Sequence, residues 1–161
     1  MSSFDRFVVK QTPNYTVLCT KQQVTILQIP EVASNFMPKL SAFAIKNQIM
    51  ISGPAIFFYE GECVDASTPV QLTLAIPVCH TTTCDNLPPE FSLQTIKPIK
   101  VVSYEHSGAM KNIAQSYYKL KDQAEDAGFT LANNFSCEIY THWAGLDSPD
   151  SRTEIQFKIL D

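Results

Sequence analysis

Residues 135–143 have the sequence FSCEIYTHW, in which side chains of two kinds alternate. Such a period of two is typical of a β-strand with two different faces. One face carries Cys137, Ile139 and Thr141 with Phe135 and Trp143, and the other carries Ser136, Glu138, Tyr140 and His142. We expect helices to cover the Cys137 face. The Glu138 face would then line a groove.

Elements around this strand complete one structural unit. A second alternating run, Thr153 to Ile159, follows it and predicts a hairpin. Before it, Ile113, Tyr117, Leu120 and Ala124 form the apolar stripe of a helix over 109–127, and Tyr117 is assigned to the core. A further strand is predicted from Ser92 to Glu105.

The first half of the chain has the same order of elements. A strand from about Thr16 to Leu27 precedes a helix over 31–47, whose stripe is Val32, Phe36, Leu40 and Phe43. Pro38 within it predicts either a late helix start or kinked early turns. Two strand-like runs follow, Ala55 to Tyr59 and Val70 to Ile76.

One offset relates the two halves. A distance of 81 residues separates Phe36 from Tyr117, Tyr59 from Tyr140 and Val78 from Ile159. We therefore predict a single α+β domain over 1–161, built from duplicated β-α-β-β units. The repeats would cover about 10–80 and 91–160, joined by a linker over about 80–90. An antiparallel sheet would carry two long helices on one side, with a ligand groove between the repeats.

Composition excludes several classes of protein. The net charge is −4, and the 12 Lys and Arg are spread along the 161 residues, which argues against direct nucleic-acid binding. No apolar run is long enough for a membrane span, and Met1 to Arg6 do not begin a secretory signal. Five scattered cysteines do not form a disulfide framework, so we expect a cytoplasmic protein.

No cofactor or metal is predicted. The chain contains no phosphate-binding loop, dinucleotide fingerprint or nucleophile elbow. Cys79, His80 and Cys84 form one loose cluster in the linker. Zinc sites usually combine two closer pairs of ligands, so this cluster does not indicate zinc.

Several motifs resemble those of the GyrI-like (gyrase-inhibitory-protein-like) small-molecule-binding family. They are the glycine-proline strand entry at 52–59, the strand, glycine turn and helix from Val101, the Glu-x-Tyr strand at 137–140, and the closing strand at 153–157. The same domain occurs as the effector-binding module of AraC-type and MerR-type regulators. The chain departs from the family pattern at Gly108-Ala109-Met110, where Gly-Pro-Tyr is usual, and at Asn133-Asn134, which replaces a second glycine-proline entry.

The resemblance implies a ligand-binding role for Glu138. By the offset of 81, Phe57 and Tyr59 would occupy the positions equivalent to Glu138 and Tyr140, so a groove with one carboxylate among aromatic rings is expected. The further candidates for the groove are Tyr104, His142 and Trp143. A solvated Glu138 on an open sheet remains the alternative, as do core positions for Tyr104 and Trp143 and an exposed position for His142. His106 is interpreted as an ordinary polar residue of the turn before the helix.

The predicted function is that of a binding module for hydrophobic, cationic or amphipathic small molecules, acting as a sensor or sequestering protein. Residues 1–15 are too few for a helix-turn-helix. By resemblance, one alternative is a hydrolase of strained electrophiles using Glu138 and Tyr140, with Glu60 or Glu154 as a second carboxylate. A protein that modulates DNA gyrase is the other alternative.

Overall fold

The structure, a computed structural model, describes residues 6–161. Residues 1–5 lie outside this range, and so does most of the segment from Met1 to Arg6 that is not expected to begin a secretory signal. Eight strands and two long helices follow one another along the chain. They are β1 (Val8–Gln11), β2 (Tyr15–Val24), α1 (Ile29–Lys46), β3 (Ile56–Glu60), β4 (Val70–Val78), β5 (Ser92–Ile96), β6 (Lys100–Ser107), α2 (Ile113–Asp126), β7 (Thr130–His142) and β8 (Arg152–Leu160).

All eight strands form one antiparallel sheet in the order β1-β6-β8-β7-β3-β4-β2-β5. The order is symmetric about its centre, where β7 pairs with β3. Each half contributes three strands in a row, and its leading strand crosses to the other half: β1 pairs with β6, and β5 pairs with β2. The predicted α+β class and antiparallel sheet are confirmed.

The strand register carries the offset of 81 through both hairpins. Phe57 pairs with Leu74 in the first half, and Glu138 pairs with Ile155 in the second. Phe57 and Glu138 also pair with each other across the centre of the sheet. This register is what duplicated units would produce; duplication itself stays a prediction.

Both helices lie on one face of the sheet. Leu40 and Ala44 of α1 are fully buried in one apolar cluster, and Leu120 and Ala124 of α2 are fully buried in another. These pairs lie 80 residues apart. The helices also end alike, because the amide groups of Ile49 and Phe129 donate to the carbonyl oxygens of Ala44 and Ala124 in Schellman motifs. Equivalent helix positions are therefore offset by 80, so the predicted match of Phe36 with Tyr117 is wrong by one residue, and Met37 is the equivalent of Tyr117.

Several element bounds differ from those predicted. The single strand predicted from Ser92 to Glu105 is two strands, since Pro98 lies between β5 and β6 and cannot donate to a ladder. Pro38 does not delay α1, which begins at Ile29 with Pro30 in its first turn. The short edge strand β1 was not predicted, and β7 begins at Thr130, earlier than expected.

The opposite face of the sheet carries its own apolar cluster without a helix. Its buried members are Val17, Cys19, Ile56, Phe58, Ala75, Cys137 and Ile139, and Tyr15, Ile96 and Phe135 pack around them. This face encloses a cavity of about 20 Å³, room for about one water molecule. Within residues 6–161, no helix is long and apolar enough to cross a membrane.

Candidate functional site

Glu138 lies at the centre of the sheet on the face that carries the helices. Its neighbours across the strands, Phe57 and Ile155, belong to the clusters under α1 and α2. The expectation that helices cover the Cys137 face is therefore wrong. Alternation separates the two faces of a strand but does not say which face receives the helices. Glu138 is 6% exposed, so it is not a solvated residue of an open sheet.

Three tyrosine hydroxyls donate hydrogen bonds to the Glu138 carboxylate. The hydroxyl of Tyr59 lies 3.0 Å from Oε1, and that of Tyr140 lies 2.5 Å from the same oxygen. Tyr117 of α2 donates to Oε2. The bonds come from β3, β7 and α2, so three separate segments converge on one carboxylate. We call Glu138 and these tyrosines the Glu138 cluster.

Aromatic rings continue from this cluster toward the surface. The ring of Tyr140 lies 4.6 Å from Phe57 and 5.6 Å from Trp143, both in edge-to-face arrangements. Tyr117 meets Phe157 in the same way, at 5.6 Å. Trp143 is 49% exposed, whereas Phe57 is 7% exposed. The rings therefore form a continuous path from solvent to the buried carboxylate.

The tyrosine hydroxyls of the cluster hold their protons strongly. Burial raises the pKa of Tyr59, Tyr117 and Tyr140 well above the ordinary value of 10.0, and the negative charge of Glu138 raises it further. The three side chains therefore serve as hydrogen-bond donors at neutral pH and not as bases.

Among the ion pairs of residues 6–161, none includes Glu138. The two pairs found there join Lys10 to Glu154 and Arg152 to Glu105. Removing a carboxylate from water costs several kcal/mol, which hydrogen bonds from the three hydroxyls offset without supplying a positive charge. The Glu138 cluster thus presents a buried negative charge whose described neighbours are neutral.

Tyr117 is a member of the Glu138 cluster that the sequence analysis did not place there. Its position on the apolar stripe of α2 predicted a core role, and its ring does pack within the cluster beneath that helix. The hydroxyl, however, reaches Glu138, 21 residues further along the chain. One signal was available: a tyrosine on a buried stripe needs a partner for its hydroxyl, and a leucine does not.

A bulge in β7 reverses the predicted faces of His142 and Trp143. Between Ile139, which pairs with Glu154, and His142, which pairs with Arg152, β7 contains one extra residue. His142 consequently shares the face of Glu154, away from the Glu138 cluster. Trp143, placed by alternation on the Cys137 face, instead contacts Tyr140.

His142 borders a separate, open recess of about 580 Å³. The other residues that line it are Ser107, Pro149, Asp150 and Arg152. The structure thus does not bring His142 together with Glu138, although both were predicted for one groove.

Tyr104 lies in the core beneath α2. It is 8% exposed, packs with Leu120 and Ile155, and has the ammonium group of Lys119 5.5 Å from its ring centre. Of the two open interpretations of Tyr104, the structure gives the core position.

The two candidates for a second carboxylate lie on the opposite face of the sheet. Glu60 is exposed and accepts a bond from Gln71 at 3.4 Å. Glu154 is paired with Lys10 and also accepts bonds from Ser103 at 2.7 Å and Gln156 at 2.6 Å. Burial alone would raise the pKa of Glu154, but these bonds outweigh it and lower the pKa. Neither of these carboxylates therefore belongs to the Glu138 cluster.

The cysteine and histidine side chains of the linker bond separately. Cys79 contacts Thr81, Cys84 donates to Asn86, and His80 contacts Thr16. No group of three or more His, Cys, Asp or Glu side chains in the described part of the chain is arranged to hold a metal ion.

Neither protein-family models nor curated protein sequences match this chain. Solved structures do share its fold. The C-terminal domain of EcmrR is 20% identical, with a TM-score of 0.76 over 97% of this chain and 98% of that one. In a complex of EcmrR with DNA the TM-score is 0.78 at 20% identity over 96% of this chain, which spans only 57% of the EcmrR chain.

Two further structures have the same fold. SAV2435 bound to tetraphenylphosphonium is 14% identical, with a TM-score of 0.62 over 96% of this chain and 94% of that one. A hydrolase encoded by lin2189 from Listeria innocua is 10% identical, with a TM-score of 0.70 over 97% of this chain and 92% of that one. These likenesses confirm the fold that the sequence motifs implied.

Proposed function

We propose that this protein binds hydrophobic organic cations at the Glu138 cluster and serves as a small-molecule sensor or sequestering module. The observation that carries the proposal is the buried Glu138 carboxylate, which accepts three tyrosine hydroxyls while no described cation pairs with it. A cationic ligand would complete the charge balance of the site.

The surrounding rings favour an aromatic cation. Faces of tyrosine and tryptophan attract cations with about 0.5–2 kcal/mol each, depending on desolvation. The ring of Tyr140 already contacts both Phe57 and Trp143 beside the carboxylate. SAV2435, which shares the fold, was solved with tetraphenylphosphonium, and this supports the same class of ligand here.

Access to Glu138 requires aromatic side chains to move. Because the residue is 6% exposed, a ligand of several rings cannot reach it through the packed cluster. Trp143 is half exposed and contacts Tyr140, whose hydroxyl bonds Glu138 directly. We propose that the ligand enters by displacing Trp143 and Tyr140, and that its rings then pack in place of theirs.

The structure favours binding over hydrolysis. Glu60 and Glu154 lie on the other face of the sheet, so neither can share a water molecule with Glu138. The tyrosines retain their protons and do not supply a base. A role in modulating DNA gyrase stays a prediction.

The test of this proposal is a calorimetric titration with tetraphenylphosphonium and with neutral triphenylphosphine oxide. Glu138→Gln keeps the shape of the side chain and removes its charge. We expect it to weaken phosphonium binding by about 1–3 kcal/mol, the range for hydrogen bonds and contacts to a charged group, and to affect the neutral compound much less.

Glu60→Gln is the matched control, since it removes an exposed charge from the neighbouring strand. It should leave both affinities unchanged. Equal losses for the two compounds in Glu138→Gln would mean that the residue shapes the site without pairing charge. No loss for either compound would place the site elsewhere.

A further inference from the structure

His106 is a buried side chain near the end of β6 that the proposed site does not yet use. It is 3% exposed, its Nδ1 lies 2.7 Å from Ser116 Oγ, and its Nε2 lies 3.0 Å from the carbonyl oxygen of Ala109. A carbonyl only accepts, so Nε2 carries the proton and donates. Nδ1 of the neutral ring then accepts from the Ser116 hydroxyl. Both ring nitrogens are satisfied without a charge.

This bridge holds the amino end of α2 to the sheet. A short 3-10 turn, Met110–Asn112, precedes the helix, and neither Ala109 nor Asn112 makes a side-chain cap there. His106 bonds to Ala109 on one side of the turn and to Ser116 in the first turn of α2 on the other. The position of the helix start on β6 is therefore set by a tertiary contact.

The start of α1 is held differently. There the amide of Thr25 donates to Gln28 Oε1 at 2.8 Å, a contact local to the chain. By strand register, Gln22 is the equivalent of His106, because Gln22 pairs with Leu72 as His106 pairs with Thr153. Gln22 donates to Thr20 at 3.0 Å and not to a helix. The bridge is thus a property of the half that carries Glu138.

Ser116 directly precedes Tyr117, whose hydroxyl donates to Glu138 Oε2. Fixing Ser116 to β6 fixes the rotation of the first turn of α2, and with it the direction in which Tyr117 reaches across the sheet. A helix start that was free to shift would carry this hydroxyl away from the carboxylate.

We propose that His106 is a positioning residue of the Glu138 cluster, acting through Ser116 on Tyr117 and so increasing the preference of the site for cations. The inference rests on the function proposed above. It assigns no ligand contact to His106 itself.

The test uses Ser116→Ala, which removes the hydroxyl of the bridge and leaves the imidazole in place. We expect tetraphenylphosphonium to bind about three- to tenfold more weakly, while triphenylphosphine oxide changes little. In a Tyr117→Phe background, Ser116→Ala should cause no further loss, because the hydroxyl that the bridge positions is already gone. Ser34→Ala, an exposed serine of α1, is the matched control.

His106→Asn provides a second variant, since its amide lies near the place of Nδ1 and can still bond Ser116. It should retain most of the phosphonium affinity, whereas His106→Ala should lose as much as Ser116→Ala. Denaturation midpoints of every variant show that the compared proteins are folded.

Additive losses in the double variant, or equal losses for the charged and neutral compounds, would overturn the positioning role. If Glu138→Gln weakens phosphonium selectively but Ser116→Ala does not, the inference fails and the proposed function stands. If Glu138→Gln has no selective effect, both fail.

Discussion

The two halves of the molecule place different chemistry on the same scaffold. Where the first half has Phe57, the second has Glu138. These two residues are partners in the central strand pair, so their side chains lie side by side on one face of the sheet. Where α1 has Met37, α2 has Tyr117 at the position 80 residues later. The first half is apolar at both positions, and the second presents a carboxylate and one of its three hydroxyl donors. A polar site can thus arise on this fold by changing side chains alone, with strand register and helix ends preserved.

The difference extends to the cores beneath the helices. The cluster under α1 includes Leu18, Leu40, Leu72, Leu74 and Ile76 among its buried members. The cluster under α2 is smaller, and its partly buried members include Tyr117 and Phe157 beside the polar site. We infer that the first half contributes more to stability and the second more to binding.

The largest expected effect compares Leu40→Ala with Leu120→Ala, two equivalent and fully buried leucines. Deleting a buried leucine costs about 2–5 kcal/mol, depending on how far the surroundings relax. We expect Leu40→Ala near the upper end and Leu120→Ala near the lower end, measured as the free energy of unfolding in urea. Equal costs, or a larger cost for Leu120→Ala, would contradict the inference that the first half contributes more to stability.

Alkaline pH should reveal the Glu138 cluster through its tyrosines. Their pKa is raised in the folded state, so the unfolded chain releases these protons first as the pH rises. Their contribution to the free energy of unfolding is therefore complete below pH 10 and is lost as the pH rises further. Each such tyrosine makes the free energy of unfolding fall more steeply with pH, by up to about 1.4 kcal/mol per pH unit. Tyr117→Phe should therefore flatten the fall in unfolding free energy between pH 10 and 11.

The control for this measurement is Tyr118→Phe, which removes the next tyrosine of α2, a residue that is 71% exposed. It should leave the alkaline slope of the wild type unchanged. If Tyr117→Phe also leaves the slope unchanged, the hydroxyl of Tyr117 is not held at the carboxylate as the structure has it.

The sequence predicted the fold well because periodicity and spacing depend on local geometry. The stripe through Leu120 and Ala124 is fully buried at both residues, and the offset of 81 holds through both hairpins. Glu138, Tyr140, Tyr59 and Phe57 were grouped from alternation and this offset, and the structure brings all four together.

The errors have a common physical cause, since they depend on contacts between distant segments. One extra residue in β7 places His142 and Trp143 on faces opposite to those expected. Tyr117 approaches Glu138 only because α2 crosses the same face of the sheet. Whether helices cover the Glu138 face or the Cys137 face is likewise decided by packing, and a period of two cannot indicate it.

The most direct test of the account is to locate a bound cation. Tetraphenylarsonium has the shape and charge of tetraphenylphosphonium, and its arsenic scatters anomalously, so crystals soaked with it can be measured at the arsenic absorption edge. We expect one strong peak on the helix-covered face beside Glu138, with Tyr140 and Trp143 displaced, and its loss in Glu138→Gln crystals. A peak confined to the recess beside His142, or to the helix-free face, would contradict the central claim.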